Sequence, residues 1–240
     1  MIYVITFLST LIAGFIQSVS GFGAGIIIMS VLPYFFTVLQ ASAICNFISI
    51  FLCAMITLNY KEHIKKELIV KPGIFFIIGA TLAIYFSKSL NLEFLKLILG
   101  LFLIFLAFYF MLFNDKVQIK ANLLTMFICG FGSGFCDGLF SIGGPLMVLY
   151  FLGLLKRKEE YLATISAFLL IVCCYNLSLR ILWGIFTASL LVFSFLGILG
   201  VFIGVNLGNR VVNKIDVIML KRITYLLIGV SGLTTFISAL

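Results

Sequence analysis

Ser18-Val-Ser-Gly-Phe-Gly-Ala-Gly25 and Gly138-Leu-Phe-Ser-Ile-Gly-Gly-Pro145 decide how this chain folds. Each is a glycine-rich interruption of a long apolar run, and the two lie 120 residues apart. At that offset Gly14 falls on Gly134, Gln17 on Asp137, Gly23 on Gly143 and Asn46 on Ser166, so the chain reads as a duplication. A doubled pair of interrupted apolar segments is the sequence mark of secondary transporters, whose substrate sites lie near mid-bilayer where broken helices meet.

The surrounding composition fits that solvent. Of 240 residues 63% are hydrophobic and 10% charged, with a mean hydropathy of +1.29, against about 25% charged residues in soluble domains. Runs near the span length of ~20 residues recur throughout, so the expectation is one membrane domain over residues 1–240. The net charge of +8 does not indicate nucleic acid, because the Lys and Arg residues sit in short gaps between apolar runs, where membrane topology places them. The first run lacks a basic leader region and is read as structure. The six cysteines and the single His63 show no metal-ligand spacing, so no metal or cofactor is expected and the cysteines read as small core hydrophobes.

Residues 1–36 are apolar and uncharged. As one helix they would extend about 54 Å, well past a hydrocarbon core of about 30 Å. A break is expected at Ser20 to Gly25, with a second weak point at Pro33. Spans are expected over 41–60, 72–86 and 95–113, with Lys61 to Lys71 as a basic loop, and repeat 1 closes near residue 115. Repeat 2, from about 119 to 240, restarts with a run over 121–155, broken at Ser141 to Pro145, followed by spans over 161–179, 184–207 and 217–240.

Charge then sets the topology. If each long broken element crosses the membrane once, the 16 basic residues divide 7 against 9 between the faces, against the positive-inside rule. If each returns to its starting side, 13 of the 16 gather on one face, and Lys88, Lys96 and Arg180 fall on the other. The expected fold is therefore an all-α integral membrane protein of two inverted repeats. Each repeat is a Gly-broken helical element, re-entrant or crossing twice, plus three transmembrane helices, with the rich face cytoplasmic.

A helix broken inside the membrane leaves N–H groups in need of a partner, and an anion suits them because the helix dipole adds positive potential. No Lys or Arg counter-ion is evident at either motif. The candidate substrate residues are Gln17, Ser18, Ser20, Gly21, Gly23, Gly25, Asn46, Ser141, Gly143, Gly144, Pro145 and Ser166. Asp137 is an acidic residue well inside an apolar segment and is the candidate proton carrier; the plainer reading, a structural carboxylate at a helix end, stays open. Glycines of this kind also serve close helix packing.

No phosphate-binding Gly-x-x-x-x-Gly-Lys-[Ser/Thr] loop, His-Glu-x-x-His or Gly-x-Ser-x-Gly occurs, so direct use of ATP and intramembrane hydrolysis lack their parts. The reading is a non-enzymatic permease for a small anion in a lipid bilayer, with proton or ion coupling and homo-oligomerisation open. A passive anion channel and a non-transporting membrane scaffold are the alternatives.

Through Gly21-Phe-Gly-Ala-Gly25 with Pro33 downstream, and Gly138-Leu-Phe-Ser-Ile-Gly-Gly-Pro-Leu146, nearly the whole chain resembles the TauE/SafE family of membrane permeases, the sulfite exporter group. Ala24 and Ser141 stand where that family usually has glycine. The resemblance implies movement of sulfite, organosulfonates or related organic anions across a bacterial cytoplasmic membrane.

Overall fold

The computed structural model describes residues 1–20, 23–113, 122–211 and 217–240, and among them every regular element is helical. The order is α1 (Ile2–Ser20), α2 (Ala24–Val31), α3 (Val38–Asn59), α4 (Glu67–Ser87), α5 (Leu92–Phe113), α6 (Leu123–Phe140), α7 (Gly144–Leu154), α8 (Lys158–Leu182), α9 (Ala188–Val211) and α10 (Val217–Ile237). Six of these are long and apolar enough to cross a bilayer. The 22 residues of α3 rise about 33 Å, whereas the 8 of α2 and 11 of α7 rise only about 12 and 17 Å, too short to cross. Large apolar side chains cover the exterior, with Phe105 and Phe108 over 60% exposed, which suits a lipid surround.

Both expected breaks occur where the glycines stand: α1 ends at Ser20 and α2 begins at Ala24, while α6 ends at Phe140 and α7 begins at Gly144. Pro33 sits in a 3₁₀ turn, Leu32–Tyr34, that closes α2. Local chemistry starts the long helices. Thr37 accepts from the backbone N–H of Gln40 at 3.2 Å while the Gln40 side chain accepts from the Thr37 N–H, and Asn122 and Thr125 form the same reciprocal cap.

Two boundaries differ from the sequence reading. The basic stretch 61–71 is not all loop: Lys61–His63 is a 3₁₀ turn and α4 starts at Glu67, five residues before the expected start at Pro72. Pro72 is the sixth residue of α4, so its missing N–H leaves the Leu68 carbonyl without its helical donor and its ring crowds that carbonyl, yet the helix runs through it. Arg180 is not a loop residue either; α8 continues to Leu182 and the guanidinium is fully buried. The expected repeat boundary near 115–119, with Lys116, Lys120 and Lys214, lies outside the described residues.

Helices of one half pack on helices of the other. α1 lies against α9, α6 against α4, α5 against α10 and α3 against α8. The first two pairs are set by glycines four residues apart: Gly200, Gly204 and Gly208 of α9 receive the backbone of α1, and Gly130, Gly134 and Gly138 of α6 receive α4 at Pro72, Phe76 and Ala80. Small residues at this spacing let helix backbones approach where no side chain would fit.

Contacts at the helix ends define two ends of the bundle. At one, Lys65 Nζ lies 3.3 Å from Glu160 Oε1 and the Lys65 N–H donates to Thr164, joining the α3–α4 connection to the start of α8. At the other, Lys88 sits over the Trp183 ring at 5.5 Å, joining the α4–α5 and α8–α9 connections. Tyr3, at the start of α1, and Phe36, just after α2, both pack on Phe193 near the start of α9. α6 runs parallel to α4, with Gly130 against Pro72, Gly134 against Phe76 and Gly138 against Ala80, so the two helices start at the same end, and α7 leads into the start of α8, which carries Glu160.

Candidate functional site

The two breaks meet. Gly25, in the first turn of α2, lies so close to the Ser141 carbonyl that an added Cβ would sit 2.8 Å from the oxygen. Beside this contact is a cavity walled by α2, α3, α7 and α8 together with Gln17 of α1 and Asp137 of α6. Much of its lining falls into pairs related by the 120-residue offset: Gln17 with Asp137, Gly23 with Gly143, Gly25 with Pro145, Asn46 with Ser166, Ser49 with Leu169, and Cys53 with Cys173. The cavity therefore sits where equivalent positions of the two halves converge.

Each break carries a strut. The Ala24 N–H donates to Gln17 Oε1 at 3.0 Å, and the Gly143 N–H donates to Asp137 Oδ1 at 2.8 Å. In both, a side chain on the last turns of the first half-helix caps the start of the second, replacing the partner that a continuous helix would supply. Of the N–H-bearing residues at the starts of α2 and α7, Gly25, Ile26 and Gly144 border the cavity. An added Cβ at Gly144 would meet open space, and Gly23 has φ 110°, which glycine alone adopts readily.

The second break is tied further. Asp137 Oδ2 accepts from Asn176 at 2.6 Å. Arg180 donates through Nη2 to the carbonyls of Asp137 at 3.1 Å and Gly138 at 2.8 Å, and through Nη1 to the Ser42 hydroxyl. A guanidinium on the last carbonyls of α6 offsets the negative end of that helix. Ser141 has φ 54°, unusual for a residue with a side chain, and its hydroxyl holds it there: Oγ donates to the Ser42 carbonyl at 2.7 Å and accepts from Asn46 Nδ2 at 3.2 Å.

Among the sequence candidates, Gln17, Gly23, Gly25, Asn46, Asp137, Ser141, Gly143, Gly144, Pro145 and Ser166 all border the cavity. Ser18 does not: its hydroxyl donates to the Phe15 carbonyl and packs against Gly208 of α9. Gly21 and the Ser20 side chain lie outside the described residues. An added Cβ at Gly143 would sit 2.7 Å from the Asp137 Cβ, so this glycine also serves the strut.

The expectation that no cationic side chain stands near either motif is corrected by Arg180. Sequence places it in a loop because the span reads as ending at Leu179, yet Ile181-Leu182-Trp183 continue the apolar run beyond it. Asn176, one turn earlier on the same helix face, and Ser42 carry no comparable sequence signal. Cys53 and Cys173, which read as packing, stand on the cavity wall.

The profile of the sulfite exporter TauE/SafE family matches residues 6–235. A protein of Methanocaldococcus jannaschii described as a probable membrane transporter protein is 30% identical over 173 residues, covering 65% of this chain and 63% of its own length. The chain thus spans less than two thirds of that relative. No solved structure matches. The chain belongs to the TauE/SafE family and is a multi-pass membrane protein.

Proposed function

We propose that this TauE/SafE chain is a secondary permease for small anions, of the sulfite, organosulfonate or related organic type, with its site in the cavity between the two broken helices. The observation that carries the reading is the meeting of both breaks at one cavity bordered by the starts of two half-helices. Each helix start contributes positive potential equivalent to roughly half an elementary charge. Arg180, behind the wall, adds a fixed positive charge near Asp137, so an anion enters a site that already holds both signs.

Two inverted repeats working by alternating access are the second part of the reading. What supports it is the placement of the broken units. Tyr3 and Phe36 bring both ends of α1–α2 to Phe193, near the Lys88 end of the bundle, and the parallel run of α6 along α4, with α7 leading into the start of α8 at Glu160, brings both ends of α6–α7 to the Lys65 end. Equivalent units that enter from opposite sides give two exchangeable arrangements around one site. The Lys65 end, richer in Lys and Arg, is cytoplasmic on this reading, and the membrane is a cell membrane. Asp137, the ionisable half of a pair whose other member is Gln17, is the candidate for proton coupling.

The direct test uses Gly144, where a side chain has room. Gly144→Val fills the cavity, so saturable anion uptake in proteoliposomes falls at least about tenfold while the melting temperature holds, because no packed atom is displaced. Gly143→Val is the contrast: its Cβ strikes Asp137 and lowers stability together with activity. A folded Gly144→Val protein with unchanged uptake would sink the site assignment.

A further inference from the structure

We propose that Cys53 and Cys173 form a thiol pair that selects which anion the cavity accepts, favouring an anion with a terminal sulfur atom over one whose outer atoms are all oxygen. This rests on the anion-permease reading above. Cys53 belongs to α3 and Cys173 to α8; both are free thiols, both border the cavity, and they are equivalent at the 120-residue offset. The other cysteines do not repeat: Cys45, Cys129, Cys136 and Cys174 fall on Ile165, Ser9, Ile16 and Ala54. Sulfur recurs between the halves only on the cavity wall, which packing alone does not explain.

A second observation marks this wall as a place for a guest. Asn46, fully buried and also lining the cavity, uses its Nδ2 on Ser141, but its side-chain carbonyl oxygen has no hydrogen-bond partner among the described residues. A buried acceptor left open on a cavity wall requires a donor from what fills the cavity, here an acid proton or a water carried with the anion.

The selection follows from desolvation. An oxyanion such as sulfate loses strong hydrogen bonds to water on entering, and S–H groups are weak donors that do not restore them. A terminal sulfur atom is large, polarisable and weakly hydrated, so it sheds water more easily and gains dispersion against the two thiols. The pair thus discriminates by failing to compensate the wrong anion, a repulsive element as much as an attractive one.

Thiosulfate and sulfate test this, being tetrahedral dianions that differ by one sulfur for oxygen. The purified full chain is expected to bind thiosulfate at least about tenfold more tightly than sulfate, and Cys53→Ser/Cys173→Ser to narrow that ratio to below about threefold. A double variant that still binds but keeps the full preference overturns the proposal. Should the variant fail to fold, maleimide labelling of wild type read by peptide mass spectrometry decides it. Thiosulfate is expected to slow the labelling of Cys53 and Cys173 relative to their rates in the ligand-free protein; equal rates at saturating thiosulfate overturn it. A wild-type chain that binds phosphate or carboxylates with no thiosulfate preference defeats the thiol pair and leaves the anion reading standing. One that binds no anion defeats both.

Discussion

The two helix breaks solve one problem with different electrostatics. At the first, a neutral Gln17 amide caps Ala24; at the second, the Asp137 carboxylate caps Gly143 and draws in Asn176, with Arg180 on the adjacent α6 carbonyls and Ser42 beyond it. At the equivalent positions of the first half stand Ile56, Tyr60 and, across the offset from Ser42, Leu162. The strut itself asks only for an acceptor of the right reach. A charged acceptor buried in a membrane asks for further donors, because an ion out of water must be paired and hydrogen-bonded. The backbone strut is thus present at both breaks and the polar network at one.

The largest expected effect breaks this asymmetry at its cation. Arg180→Ala leaves the α6 carbonyls and the Asp137 charge uncompensated inside the bundle and should cost about 3–5 kcal/mol, read as a drop in thermal midpoint in detergent. Tyr60→Phe, at the matching position, should cost less than about 0.5 kcal/mol, as most surface changes do. Similar losses for both would show that the second break does not depend on its ionic partner.

A middle effect sharpens the contrast between the struts. Asp137→Asn turns an amide donor toward the Asn176 amide and should cost about 1–3 kcal/mol, while Gln17→Ala loses one neutral hydrogen bond, about 1 kcal/mol. In proteoliposomes, uptake driven by an imposed pH gradient should vanish in Asp137→Asn and persist in Gln17→Ala. Gradient-driven accumulation by the Asp137→Asn protein would remove the carboxylate from coupling.

The smallest effect concerns Ser141, whose left-handed backbone conformation costs a residue with a Cβ roughly 1–2 kcal/mol. Ser141→Gly relieves that strain and loses the bonds to Ser42 and Asn46, so its stability should lie within about 1 kcal/mol of the parent. Ser141→Ala keeps the strain and loses the bonds, and should be the less stable of the two in chemical denaturation. The reverse order would show that the hydroxyl does not hold the turn.

Much of the architecture is legible in the sequence because it follows from local physics. A run of 36 apolar residues cannot cross as one helix, glycine clusters mark where it breaks, and Thr37 and Asn122 supply their own caps, so both breaks and most spans can be read to within a few residues. The α4 start escapes such a reading because a proline early in a helix looks like a boundary when only local propensity is weighed. Most of the residues lining the cavity are legible too, through the 120-residue offset, since equivalent positions of two like halves converge on one place.

What the sequence alone determined was the helical membrane class and the two breaks, because each depends on neighbours along the chain. Only the tertiary structure decided that Ser18 faces α9, that Gly143 serves the Asp137 strut, and that Arg180 turns inward to the α6 carbonyls. Those outcomes rest on contacts between residues from different helices or from either side of a break, most of them far apart along the chain. Spacing fixes the face of its own helix on which a side chain stands, but which neighbour meets that face is set by how the helices pack, and neither hydropathy nor spacing carries that information.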